Sequence, residues 1–326
     1  MRALKLSDSQ VEQFHREGFL LVENVLDPKA DIQPVIDEYS ELLDWLCNKW
    51  YAEGRISSAY RGLPFGDRLA RLVAESDQAY FPYFDITLPQ KDVATDTPVH
   101  LGKAIFDFLR NPQLLDVVEH FVGPEIYSNP VQHVRIKVPE RLVPEYQRNG
   151  ITARTGWHQD QGVVLPEADG TNMVSAWIPM FDTDAENGCL AMVPRSHISG
   201  MVAHCNDPIT NQGNRIPDRL IRLEDAVPVP MKAGSVLVFT RTTMHQSYRN
   251  VSDRIRWSFD IRYQPTGQPT GRSMFPGFVA RSRRNPEYEL RDHAVWADRW
   301  RRARAKLASE GTPEFTRWNT ALPVCG

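Results

Sequence analysis

The chain of 326 residues holds only four cysteines, Cys47, Cys189, Cys205 and Cys325, with no C-x-x-C pair and no regular spacing. That scarcity argues against a zinc knuckle or a disulfide framework, and a reduced protein is the expectation. An excess of one charge is also missing, since 38 Lys+Arg stand against 41 Asp+Glu for a formal net of -3. Nucleic acid and anionic membrane are therefore not expected as partners, because non-specific binding to either rests on a net positive field. No apolar run approaches the roughly 18 residues that cross a bilayer. The start, MRALKLSDSQ, turns polar too soon for a signal peptide, and the ending ALPVCG is neither a peroxisomal address nor a prenylation box. A soluble cytoplasmic protein is expected. Repeats and low-complexity linkers are absent too.

What is present divides at Gly123-Pro124. Before it the pattern is helical. Ser7 and Gln10 make a capping box ahead of Val11 and Phe14, and Gly18 stops that helix before the apolar run Phe19-Leu20-Leu21-Val22. A long helix is expected over 28–51, because Ile32, Val35, Ile36, Tyr39, Leu42, Leu43, Leu46 and Trp50 recur at helical spacing. Helical texture returns over 101–121, with a break at Asn111-Pro112. After residue 123 come short apolar or alternating runs, and strands are expected over 131–138, 173–180, 189–193, 227–231, 235–239 and 255–263. A mainly β protein with flanking helices follows, its core an antiparallel sandwich or jelly roll. Trp296, Trp300, Ala303 and Leu307 mark an apolar stripe on a late, Arg-rich helix that should dock on the rest. We expect one catalytic unit over 1–326: helical support over 1–123, a jelly-roll core over 124–263 and a helical extension over 264–326.

The chemistry concentrates in Trp157-His158-Gln159-Asp160. In an extended segment the side chains of His158 and Asp160 project to one side, so an imidazole and a carboxylate can share a metal ion. His245, 85 residues past Asp160, follows another apolar strand and is the candidate third ligand. Two histidines and one carboxylate on one face of an octahedron leave three sites open, the arrangement of non-haem Fe(II) oxygenases. The donor set also admits Zn or Mn. Arg256, eleven residues after His245, could hold a carboxylate through its planar fork. Arg254 and Arg262 share its strand parity, and Arg135 shares that of His133.

With these residues placed, the chain resembles the phytanoyl-CoA dioxygenase-like family of Fe(II)/2-oxoglutarate-dependent oxygenases from Val11 to about Tyr263. The resemblance is carried by Trp157-His-Gln-Asp160, Ala176-Trp177, Glu186-Asn-Gly-Cys-Leu190, Val193-Pro-Arg-Ser-His197, Ala233-Gly-Ser-Val236, His245-Gln-Ser247 and Arg256, in the family's order. It implies a double-stranded β-helix (cupin-like jelly roll), iron held by His158, Asp160 and His245, and Arg256 paired with the distal carboxylate of 2-oxoglutarate. It implies further that Ser247 adds a hydroxyl contact there, and that Trp177 and His133 line the cosubstrate pocket. Arg195 stands where the family usually has Gly, and Ser235 where Asp is common. Asp160 is present, whereas related halogenases lack that carboxylate, so hydroxylation is the implied outcome.

The implied function is oxidation, most simply hydroxylation, of a C–H bond of a small molecule, with O2 consumed and succinate and CO2 released. A secondary-metabolite tailoring role is the favoured setting, and Tyr127, Arg135, Arg154, Gln161 and residues 271–276 are candidates for the substrate's surroundings. Two rivals remain at this point: a cupin-like metal isomerase or hydrolase using the same triad, and a non-catalytic jelly-roll binding protein. The sequence carries no signal of oligomeric state.

Overall fold

The computed structural model describes residues 4–77, 79–145, 148, 152, 154–206, 215–313, 315–318 and 322–325. Helix α1 (Asp8–Glu17) opens with the reciprocal Ser7/Gln10 capping box and ends on Gly18 in the left-handed region. Strand β1 (Phe19–Val22) follows. The long helix α2 (Gln33–Ala52) begins after a wide turn at Pro28–Ile32 capped by Asp27. Helices α3 (Phe65–Glu75) and α4 (Phe81–Phe84) fill a stretch where helical texture was expected but no individual helix was bounded. Helices α5 (Lys103–Leu109) and α6 (Pro112–Val122) meet at Asn111-Pro112, where the Asn111 side chain caps the second helix.

The strands are β2 (Glu125–Lys137), β3 (Val174–Pro179), β4 (Leu190–Met192), β5 (Val227–Val229), β6 (Val236–Thr240), β7 (His245–Ser247), β8 (Arg256–Pro265) and β9 (Phe278–Ser282). They form a six-stranded sheet in the order β1-β6-β3-β8-β2-β9 and a three-stranded sheet β5-β4-β7, with antiparallel pairing throughout. This is the expected jelly roll. Its larger sheet takes one edge strand, β1, from before residue 124 and the other, β9, from after residue 263.

Strand alternation sorts the larger sheet into two faces. Val134, Ile136, Val174, Ala176, Ile178, Val236, Val238, Trp257, Phe259, Ile261 and Tyr263 join the main core with residues of α1 to α7. The alternate residues face the smaller sheet. Toward β1 and β6 that lumen is apolar, with Trp177, Leu237 and Phe239 packed against Leu190, Met192 and Val229. Toward β8 and β2 it carries Arg256, Ser258, Asp260 and Arg262 beside His133, Arg135 and Lys137. The apolar half closes the sandwich by burial; the polar half is buried without that reward, which marks it for chemistry.

Two local features explain motif residues. Gly188 has φ +97°, and a Cβ there would lie 2.9 Å from the Tyr248 carbonyl oxygen. Arg195 occupies the left-handed region at φ 64°, which accounts for the glycine more usual at that place. Helix α7 (His293–Glu310) buries Trp296, Trp300 and Leu307 as the apolar stripe required. The cysteine expectation needs correction, because Cys205 and Cys325 form a disulfide across 120 residues while Cys47 and Cys189 are buried thiols. Spacing could not reveal it: the chain's end is brought to Cys205 by tail contacts such as Trp318 stacked on His204, ring centroids 4.8 Å apart. Among the described residues no helix is long and apolar enough to cross a membrane.

Candidate metal centre

The H-x-D segment is less regular than a strand. His158 makes a single antiparallel bridge to His245, and the chain turns at Asp160–Val163. Gln159 between them is extended at φ -118°, ψ 139°, which suffices to keep His158 and Asp160 on one side. His245 opens β7, paired with Met192 of β4, so the bridge sets the two imidazoles side by side with ring centroids 4.1 Å apart. Asp160 Oδ1 lies 3.8 Å from His158 Nε2 and 3.9 Å from His245 Nε2. The three ligand atoms all fall within 4.8 Å of one another.

Hydrogen bonding selects the tautomers a metal needs. His158 Nδ1–H donates to the Gly156 carbonyl at 2.8 Å and His245 Nδ1–H to the Thr243 carbonyl at 3.0 Å. Both Nε2 lone pairs are left toward Asp160. Burial and the neighbouring His245 push the His158 imidazole down to about 3, and burial likewise lowers His245. Burial alone would raise the Asp160 carboxyl, but Arg262 and the two imidazoles outweigh it and hold the group well below the usual carboxylate range. Two neutral imidazoles and an ionised carboxylate are the donors that suit Fe(II). His204 is excluded from the set, because its Nδ1–H donates to Val202 and its Nε2 accepts the Gln159 amide at 2.9 Å.

A second cluster lies along β8 and β2. Arg256 and Lys137 are directly paired across these strands, both buried. Arg256 Nη1 donates to Ser258 Oγ at 2.5 Å, its Nε has no partner, and its guanidinium sits 5.7 Å from the Trp177 ring. Lys137 Nζ donates to Ser247 Oγ at 2.9 Å and to Thr155 Oγ1 at 3.0 Å. Among the described residues neither cation has a carboxylate within ion-pair distance, and burial, reinforced on Lys137 by Arg256 and Arg135, lowers the pKa of both. Two adjacent buried cations without an anion form a place for one. The structure thus brings Arg256, Ser247 and Trp177 together and adds Lys137.

His133 also faces the lumen, its Nδ1–H donating to Asp85 Oδ2 at 2.9 Å. Arg135 has a buried Nη1 without a partner among the described residues, and its Nε is 3.7 Å from Asp260 Oδ2. Arg154 donates to Gln246 Oε1 and Gln161 to Asp169. Tyr127 instead packs at Gly277, beside the β9 edge. Lys137 was legible in principle, since it continues the alternation His133, Arg135. His204 had no sequence signal, lying 45 residues from the amide it receives.

A jelly roll that presents two neutral imidazoles and one ionised carboxylate at the lumen of its sheets carries the donor set of the facial-triad class of non-haem iron oxygenases. Comparison with known proteins makes the assignment specific. The phytanoyl-CoA dioxygenase (PhyH) family profile matches residues 14–258, and the chain belongs to that family of Fe(II)/2-oxoglutarate-dependent oxygenases. Peroxisomal phytanoyl-CoA dioxygenase of Bos taurus is 26% identical over 262 residues, 79% of this chain and 68% of the relative. The 1-deoxypentalenic acid 11-beta-hydroxylase of Streptomyces arenae is 25% identical over 256 residues, 74% of this chain and 87% of the relative. Among solved structures, the non-heme monooxygenase ThoJ superposes with a TM-score of 0.55 at 19% identity, covering 92% of this chain and 99% of that one. EvdO2 from Micromonospora carbonacea var. aurantiaca complexed with 2-oxoglutarate gives 0.51 at 20% identity, covering 81% and 93%.

Proposed function

We propose that this oxygenase hydroxylates a C–H bond of a small polar or anionic molecule, as a tailoring step in secondary metabolism. The observation that carries the reading is the pair of Nδ1–H bonds to backbone carbonyls, which leaves the Nε2 lone pairs of His158 and His245 facing an ionised Asp160. These three residues are the proposed ligands. Iron bound there would supply O2 activation coupled to oxidative decarboxylation of 2-oxoglutarate.

The other residues would do the positioning. Arg256 would take the distal carboxylate of 2-oxoglutarate, and Lys137 stands beside it. Ser247 Oγ already accepts Lys137 Nζ and the Thr155 amide, so its own O–H is free to donate to the same carboxylate. Trp177 would cover that end and exclude water, and His133, neutral because burial outweighs Asp85, would line the pocket. Asp160 occupies the ligand position, which supports hydroxylation. The unpartnered Arg135 Nη1 and Asp260 Oδ1 support a polar substrate, and the Streptomyces arenae relative is named for a carboxylic acid.

We take 1–326 as one catalytic unit, with helical support over 1–123, the core over 124–263 and an extension over 264–326, because β1 and β9 complete the sheet that bears the site. A cytoplasmic location is proposed with it, against which the Cys205–Cys325 disulfide counts; alkylation of the protein in intact cells decides, Cys205 trapped as a thiol supporting the cytoplasm and Cys205 found in the disulfide refuting it. The functional test is a screen of candidate small molecules with Fe(II), 2-oxoglutarate and O2, read as stoichiometric succinate release. Loss of succinate in His158→Ala and a raised KM in Arg135→Ala are expected. Turnover under argon without succinate would instead establish an isomerase or hydrolase.

A further inference from the structure

Asp160 leaves the H-x-D segment where the chain turns, so nothing in its own backbone fixes the carboxylate. The fixing comes from the sheet opposite. Ser175 on β3 and Arg262 on β8 are direct cross-strand partners, and both project into the lumen. Ser175 Oγ donates to Asp160 Oδ2, while Arg262 Nη2 donates to Asp160 Oδ1 at 2.5 Å. Arg262 is itself anchored, for its Nη1 donates to the Val131 carbonyl at 2.7 Å and its side chain is 6% exposed. Two donors on neighbouring strands thus meet the two oxygens of one carboxylate.

We propose that Ser175 and Arg262 are positioning residues that clamp Asp160 so that it meets a metal through one oxygen only. This rests on the metal-centre reading. A carboxylate offers about four lone-pair sites, two on each oxygen. Ser175 takes one of the two on Oδ2, and Arg262 takes one side of Oδ1, the oxygen that faces both imidazoles. The remaining lone pair of Oδ1 is the one aimed at the metal position. Bidentate binding by Asp160 would require the carboxylate to turn Oδ2 toward the imidazoles as well, bending both the Ser175 and the Arg262 bonds, so the clamp, by holding Oδ1 foremost, keeps three coordination positions open for cosubstrate and O2. The Arg262 charge also lies close to the metal position; the proposal is that orientation outweighs its repulsion of a divalent ion.

The test is anaerobic titration of the full-length metal-free protein with Co(II), read as the dissociation constant and the visible d–d bands. Outer-sphere partners typically contribute 10–100-fold to metal affinity, so Arg262→Gln should bind Co(II) at least about tenfold more weakly, with shifted bands. Arg262→Lys keeps the charge but cannot span Val131 and Asp160, so it should also bind more weakly. Ser175→Ala should alter the bands by freeing Oδ2; it removes one hydroxyl and serves if Arg262→Gln fails to fold. Wild-type affinity and spectrum in Arg262→Lys and Ser175→Ala, or tighter binding in Arg262→Gln, would overturn the clamp. A wild-type protein that takes up no Co(II) would overturn the metal-centre reading itself.

Discussion

Replacing Arg256 by Met removes one of two buried cations that face each other across β8 and β2, and its cost can be worked from their contacts. Arg256 donates through Nη1 to Ser258 and keeps Nε without a partner among the described residues, so an incoming carboxylate would gain bonds that no described acid now supplies. Hydrogen bonds to charged groups contribute roughly 1.5–3 kcal/mol each. A forked contact counted at about 3 kcal/mol predicts a rise of about 100-fold in the 2-oxoglutarate dissociation constant. Lys137→Met should raise it about tenfold, since Lys137 presents a single ammonium already shared with Ser247 and Thr155. If both cations grip the same carboxylate, the double variant should fall short of the sum. The assay is anaerobic titration of the Fe(II)-loaded protein with 2-oxoglutarate, with far-UV circular dichroism to show that each variant folds. A constant within about twofold of wild type in Arg256→Met would refute the reasoning, since it corresponds to less than one such bond.

Three further outcomes follow from other parts of the structure. The Cys205–Cys325 bond closes a loop of 120 residues, so reduction should lower unfolding free energy by about 2–4 kcal/mol, seen as a shift in urea midpoint that Cys205→Ser reproduces and then no longer shows on reduction. His158 and His245 are held neutral below their usual 6.5, so their contribution is full above pH 6.5 and falls as pH drops toward 5, because the unfolded chain then binds protons the folded one refuses. Each adds a slope of up to about 1.4 kcal/mol per pH unit to the metal-free protein, and equal urea midpoints at pH 7 and 5 would contradict this. Gly188→Ala should cost about 1–3 kcal/mol through its positive φ and the Tyr248 carbonyl, and an unchanged melting temperature would show that the turn relaxes freely.

The sequence was readable where local patterns and tertiary structure agree. The capping box at Ser7, the Asn111-Pro112 break and the tryptophan stripe of α7 each encode an element by themselves. Strand β7, only His245–Ser247, has no periodicity to detect and exists because Met192 and Leu190 pair with it. Strand β9 lies in a segment otherwise coloured by a helix. The candidate ligands His158, Asp160 and His245, which the structure brings together, were legible because residue type and order are specific, and the extended segment expected there reduces to one extended residue, Gln159. Ser175, Lys137 and His204 were not assigned, since a serine, a lysine and a histidine acquire meaning only from what lies across the lumen. The disulfide was missed for the same reason: its partners are joined by a tail whose path no spacing records.

The most direct measurement is the visible spectrum on anaerobic addition of Fe(II) and then 2-oxoglutarate to the metal-free protein. A weak metal-to-ligand charge-transfer band should develop in wild type and be lost in His158→Ala. No band in the wild-type protein, or an undiminished band in His158→Ala, would contradict the assignment of His158, Asp160 and His245 as the iron site.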